Sequence, residues 1–413
     1  MSEEAERSAA LSLLNAGAVR ERAHEMLEAG LDGRLQHFTV DLDRLAMTAR
    51  VVAEKIRVNY PRRDVPFHAR WRHFVLDGID LWAERAAATT FQSRAAQARA
   101  AFDLAIVSVL LDAGAGTAWR YLDADTGQVI GRSEGLAIAS LRMFEGGAFS
   151  ARATDRLRAD AVKLQAITAN DLARGMQVME SNPLVGLPGR AALLARLGQV
   201  IADKPAVFAR VDDPRPGGLY DHLASEAKGG ELPAARILEA LLLHLGAVWP
   251  GRITMGGLSL GDTWRHPAIK RDDATNGLMP FHKLSQWLAY SLIEPLQWAG
   301  IEVTDIDGLT GLAEYRNGGL FVDSGVIMLR DPDEAARPQQ VDSALVVEWR
   351  ALTVALLDRI APLVRSELGL GDNEFPLARV LEGGTWSVGR SLARDKRPDA
   401  SPPIAVVSDG TVF

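Results

Sequence analysis

In VVEWRALTVALLDRIAPLVRSEL, residues 346–368, apolar side chains return every third or fourth position. That spacing lines one face of a 3.6-residue helix and does not suit a strand, whose side chains alternate with a period of two. The same recurrence runs through most of the chain, which is therefore read as mainly α. With 413 residues, 47% hydrophobic and 24% charged, it has material for an ordinary core. It is read as one compact helical unit, 1–413, with an N-terminal subregion 1–150 and a C-terminal subregion 151–413.

Helices are predicted over 7–30, ending at Gly30, and from a cap at Asp43 to about Val58, after a strand-like FTV. WRHFVLDGIDLWAERAAA and QARAAFDLAIVSVLLDAG are each read as a helix, the second apolar nearly all round. A turn at 125–127 separates two short extended pieces, and Ser133 is the expected cap of SEGLAIASLRMF. Residues 151–181 read as helical, Gly189 starts another helix, and LPAARILEALLLHLGAVWP is a further one. Residues 251–281 look irregular. Pro295 is expected to kink or shorten the helix of FHKLSQWLAYSLIEPLQWAG. Asp409 and Gly410, between alternating apolar residues, predict a C-terminal β-hairpin.

A formal net charge of -7 argues against a long phosphate-tracking surface, so no nucleic-acid partner is expected. The absence of cysteine removes disulfides, zinc-thiolate sites and cysteine nucleophiles together. MSEEAERSAALSLLNAGAVRERA lacks the basic segment and apolar core of a secretory signal. No apolar run approaches the roughly 20 residues that a bilayer requires. The expectation is a cytoplasmic protein without a membrane partner. The histidines form no helix-spaced metal pair, GGLSLGD lacks the lysine of a P-loop, and there is no GxSxG elbow.

Polar and aromatic residues instead gather in otherwise apolar segments. FHARWRHFVLDGIDLW holds His68, Arg70, Arg72, Asp77, Asp80 and Trp82. GRSEGLAIAS sets Arg132 and Glu134 at a helix start, LGDTWRHP carries Asp262, Trp264 and His266, and PFHKLSQWL carries His282, Lys283 and Gln286. In LTGLAEYRNGGLFVD, Glu314 stands at a predicted helix start, where the dipole favours its ionised form. Gly318 and Gly319 weaken that helix by roughly 1 kcal/mol each, which points to close approach by a ligand or another backbone.

The phrases LGDTWRHP, PFHKLSQWLAYSL, LTGLAEYRNGGLFVD, VVEWRALTVALLDRIAP and LEGGTWSVGR resemble the family of the non-reductive uracil catabolic pathway, labelled uracil catabolism protein 4 or a domain of unknown function. The resemblance covers nearly the whole chain. It implies a role downstream of ring opening, where ribosylurea is the intermediate.

A more distant resemblance supplies chemistry. The order DGIDLWAE, NPLVGLPGR, FHKLSQWLAYSL, LAEYRNGGLFVDSGVI, VVEWRALTVALL is similar to that of queuosine-phosphate salvage N-glycosidases, relatives of helix-hairpin-helix DNA glycosylases. It implies a helix-hairpin-helix glycosylase-like helical fold with a few short strands. It also aligns Glu314 with a catalytic aspartate, one methylene shorter. A carboxylate beside a sugar carbon stabilises oxocarbenium-like charge or activates water. Arg316, aligned with an arginine there, is expected to bind the sugar phosphate or to position Asp323, because a guanidinium offers paired donors to either. By the same resemblance Asp80 and Trp82 grip the urea or base end, and His282 and Lys283 face the phosphate. Glu134 joins the substrate-binding set.

The function so implied is hydrolysis of ribosylurea or its 5-phosphate to urea and the sugar, with no metal or organic cofactor. The alternatives are a uracil or pyrimidine phosphoribosyltransferase, for which no pyrophosphate loop is seen, and a non-catalytic binding protein of the same pathway. Oligomeric state is open.

Overall fold

The structure, a computed structural model, describes residues 2–112, 114–249 and 252–407. It is mainly α-helical, with short two-stranded sheets. Contacts gather the described residues into two compact units, neither continuous in sequence. One takes in Met1–His68, Gly251–Gln286 and Asp305–Phe413, the other Ala69–Pro250 and Trp287–Thr304. No described helix is long and apolar enough to cross a membrane.

The first unit is built on the helix Ala344–Leu368, which Ser343 opens by accepting a hydrogen bond from the Val346 amide. Residues on every face of that helix are buried, and it packs against the helices Ala16–Leu31 and Leu45–Asn59. The predicted helix 7–30 is in fact two, Glu3–Ser12 and Ala16–Leu31. Asn15 divides them because its side chain accepts from the Ala18 amide at 2.9 Å and fits a cap better than a helix interior. Phe38–Val40 pairs antiparallel with Ile327–Leu329. Asp41, rather than Asp43, then starts the turn leading into Leu45–Asn59.

Residues 252–281 contain two small antiparallel pairs, Thr254–Met255 with Leu258–Ser259 and Thr263–Arg265 with Leu278–Pro280. At the other end, Val406–Val407 pairs in parallel with Gln339–Gln340. The turn expected at Asp409 and Gly410 lies outside the described residues.

The second unit centres on Arg94–Leu110, buried on nearly every side as its composition predicts. The segment read as one helix from Trp71 is a 3-10 turn, Arg70–Phe74, then a tight hairpin and the helix Leu81–Ala87. Asp77 and Gly78 both have positive φ there, a turn that outweighs the apolar spacing. The expected turn at 125–127 does join two strands, Arg120–Leu122 and Val129–Gly131.

The helix Arg132–Glu145 begins before Ser133, whose hydroxyl serves Asp112 instead of capping. Of 151–181 only Ala161–Ala166 and Ala169–Gly175 are helical, since Asp160 and Thr168 each cap a new start. Helix Leu187–Ala202 starts two residues before Gly189, after Gly186 at φ 73.

The division between units falls inside the helix Lys283–Trp298, after Gln286. Pro295 does not end this helix. It has no N–H for the Ser291 carbonyl four residues back, and the Trp71 indole donates to that carbonyl at 2.7 Å.

Candidate active site

Glu314 is the N-cap of the helix Tyr315–Asp323. Its Oε2 accepts from the Arg316 amide at 2.7 Å and its Oε1 from the Asn317 amide at 2.5 Å. The preferred caps are the shorter Asn, Asp, Ser and Thr, so capping alone does not explain a glutamate at this position. The residue is only 9% exposed. Burial pushes its carboxyl above the usual carboxylate range, against the two amides and the charges of Lys283 and His68, which pull it down. A desolvated carboxylate with cations in range is a common arrangement at sites of proton and charge transfer.

The loop that delivers Glu314 is pinned on both sides. Thr310 exchanges hydrogen bonds with the buried Gln286 side chain. Upstream, Arg20 donates to the carbonyls of Asp307 and Leu309 at 2.9 and 2.8 Å. Arg350 donates to the Ala313 carbonyl at 3.4 Å and clamps Asp262 with both terminal nitrogens, at 2.8 and 2.7 Å. Asp262 also accepts from the Trp264 indole at 2.7 Å and the Lys283 amide at 3.0 Å. Burial would raise its carboxyl, but Arg350 and these donors outweigh it and hold the pKa at about 2. Asp262 and Arg350 thus form a buried ionic bolt between the start of the Lys283 helix and the residue preceding Glu314.

On the other side stands a π-helical turn, Leu381–Thr385, of sequence LEGGT. Such turns are often found at functional sites. Thr385 donates to the Asn317 side-chain oxygen at 2.8 Å, and Glu382 holds His68 Nδ1 at 2.7 Å. Hydrogen bonds thus link Glu314, Asn317 and Thr385, and Glu382, on the same turn as Thr385, holds His68.

The remaining predicted residues are placed differently. Arg316 does not position Asp323: its guanidinium lies over the Tyr315 ring at 4.8 Å and donates to the Ala400 carbonyl at 3.0 Å. Asp323 is paired with Arg397, at 2.9 and 2.6 Å. His282, at φ 49, is buried, with Nε2 at 2.9 Å from the Leu13 carbonyl. Burial lowers its pKa, so it supplies no positive charge for a phosphate. Lys283 is near enough to Glu314 to act on it electrostatically.

In the second unit, Asp80 caps Leu81–Ala87 by accepting from the Ala83 amide at 2.9 Å. Trp82 is buried between Trp71 and Phe144, and its indole nitrogen has no hydrogen-bond partner among the described residues. Glu134 acts through its charge on the buried Arg70, which is paired with Asp112 at 2.9 Å.

The close approach expected at the paired glycines comes from protein. A Cβ on Gly318 would stand 2.7 Å from the Trp349 indole nitrogen, and one on Gly319 would meet Pro403 at 3.3 Å. A cavity of about 400 Å³ in the second unit, lined by Tyr121, Arg142 and Lys163, and one of about 260 Å³ in the first, lined by Met47 and Leu320, do not include Glu314. Sequence reasoning gave no role to His68, Glu382, Asn317, Thr385 or Arg350. The glycine pair in LEGGT, inside an otherwise helical stretch, was the available signal for Glu382 and Thr385.

Fold and site together define a class: a helical protein that presents a buried carboxylate at a helix start, within electrostatic range of a lysine and of a carboxylate-held histidine. The chain belongs to the family described as "Protein of unknown function (DUF1688)", whose model matches residues 12–413. It is 37% identical over 411 residues to "Protein urg3" of Schizosaccharomyces pombe, covering 97% of this chain and 98% of that one. It is 35% identical over 421 residues to "Uracil catabolism protein 4" of Lachancea kluyveri, covering 92% and 93%.

Proposed function

We propose that this protein is an N-glycosidase of uracil catabolism that hydrolyses ribosylurea or its 5-phosphate to urea and ribose or ribose phosphate. The pathway rests on the name of the Lachancea kluyveri relative, which matches nearly end to end. The reaction rests on one observation, the desolvated Glu314 carboxylate held by two helix amides.

Breaking the C–N bond develops positive charge on the sugar carbon, and a fixed carboxylate beside that carbon stabilises it or takes a proton from attacking water. Burial raises the basicity of Glu314, while the two amides keep its orientation. Lys283 is the proposed contact for a 5-phosphate, and Arg316, whose Nε has no hydrogen-bond partner among the described residues, is proposed to serve the same end of the ligand. The fold that accompanies this reading is of the helix-hairpin-helix glycosylase type.

Purified protein incubated with ribosylurea and with its 5-phosphate tests the proposal through released urea. Turnover of one of them is expected. Glu314→Gln should lower kcat by at least about 100-fold, the scale of acid-base catalysis, while the variant still binds substrate. Failure of the wild type to release urea from either compound refutes the reading. Undiminished turnover in the variant removes Glu314 from the chemistry.

A further inference from the structure

The geometry around the LEGGT turn points to His68, held by Glu382, as the proton donor to the departing urea nitrogen, an inference that rests on the N-glycosidase reading above. Urea is a poor leaving group as an anion, so the electron pair that departs from the sugar carbon must be met by a proton. Glu314, as carboxylate, serves the carbon or the water and cannot supply that proton in the same step.

His68 is suited to it. Its Nδ1 lies 2.7 Å from the Glu382 carboxylate, which fixes the ring and leaves Nε2 for a second partner. Both side chains are mostly covered, at 13% and 20% exposure, so the pair is less screened than a surface ion pair.

The pair is also mechanically tied to Glu314. Glu382 lies on the same π-helical turn as Thr385, Thr385 donates to the Asn317 side-chain oxygen, and the Asn317 backbone amide donates to Glu314. The glycines of the turn are packed closely: a Cβ on Gly384 would stand 2.5 Å from Val52, and one on Gly383 3.0 Å from Val65. The turn is thereby seated against the unit's core and holds its two polar side chains at a set spacing. His68 itself is anchored by its amide, which donates to the Ala378 carbonyl at 3.0 Å.

The step balances without another reactant. The sugar C–N bond breaks and its electron pair takes the proton from His68 Nε2, releasing neutral urea. Water adds to the sugar carbon and gives its proton to Glu314. Transfer of that proton through solvent to His68 restores the starting state. In this scheme His68 touches the leaving group and Glu382 is a positioning residue.

The test compares leaving groups. His68→Gln and Glu382→Gln are assayed on the ribosylurea form that the wild type hydrolyses, and on the 4-nitrophenyl riboside of the same phosphorylation state, whose leaving group departs without a proton. The expected result for His68→Gln is a loss in kcat of roughly 100-fold or more on the urea substrate and under about 10-fold on the nitrophenyl riboside. Glu382→Gln should show the same pattern more weakly, and Glu314→Gln should lose both activities. Retained activity on the nitrophenyl substrate shows at the same time that the variant is folded. Equal loss by His68→Gln on both substrates, or undiminished urea release, overturns the donor assignment alone. Absence of urea release by the wild type overturns it together with the N-glycosidase reading.

Discussion

Replacing Arg350 by methionine removes the charge that holds Asp262 while keeping most of the side-chain volume. Asp262 is 8% exposed, and four donors converge on its carboxylate, two of them from Arg350. Its pKa of about 2, against an ordinary 3.8, corresponds to about 2 kcal/mol of stability at neutral pH, a pH unit being worth a little over about 1 kcal/mol. Arg350→Met forfeits that and leaves the burial of the carboxylate uncompensated, for a total of about 3–5 kcal/mol.

The sign of the pH effect distinguishes this from loss of packing. In the wild type the contribution is complete above 3.8 and disappears as pH falls through about 2. In the variant, burial without Arg350 lifts the carboxyl above 3.8, so the folded state takes up a proton before the unfolded state does. The deficit of the variant should therefore shrink between about pH 7 and about pH 4.5. Equilibrium urea unfolding followed by far-ultraviolet circular dichroism measures it at both pH values. A companion Asp262→Leu, Arg350→Met double variant should regain most of the loss, because removing both charges leaves none stranded. A loss below about 1 kcal/mol at neutral pH, or a deficit that does not change with pH, refutes the reasoning.

Other outcomes follow from single contacts. The acidic limb of the kcat/KM profile should lie above the ordinary carboxylate range, because burial raises Glu314 and activity requires its ionised form; a limb at or below that range in a titration of urea release contradicts this. Gly389→Ala would bring a Cβ to 2.1 Å from the Arg316 carbonyl oxygen, backbone that cannot rotate aside, so the helices Tyr315–Asp323 and Trp386–Lys396 must separate. A loss of about 3 kcal/mol or more is expected in urea unfolding. Asp80→Ala removes the cap on the Ala83 amide and should lower stability by about 1 kcal/mol in the same assay.

The helical character, the buried helix of 94–110 and the helix start at Glu314 were all legible in the chain, because each depends on local spacing or on a residue's own backbone preference. Local signals also misled where a stronger local feature lay inside an apolar run. Asn15 split the first helix, and the Asp77, Gly78 turn replaced a helix by a hairpin.

What the sequence by itself determined is therefore the class of structure and the position of the carboxylate at a helix N-terminus. Only the tertiary structure decided that this carboxylate is buried, that Arg397 rather than Arg316 takes Asp323, and that His282 spends its ring on the Leu13 carbonyl. It likewise brought His68 to Glu382, 314 residues away along the chain. Desolvation and ion pairing depend on neighbours that converge in space from distant segments, and no local pattern of residues encodes which of them will meet.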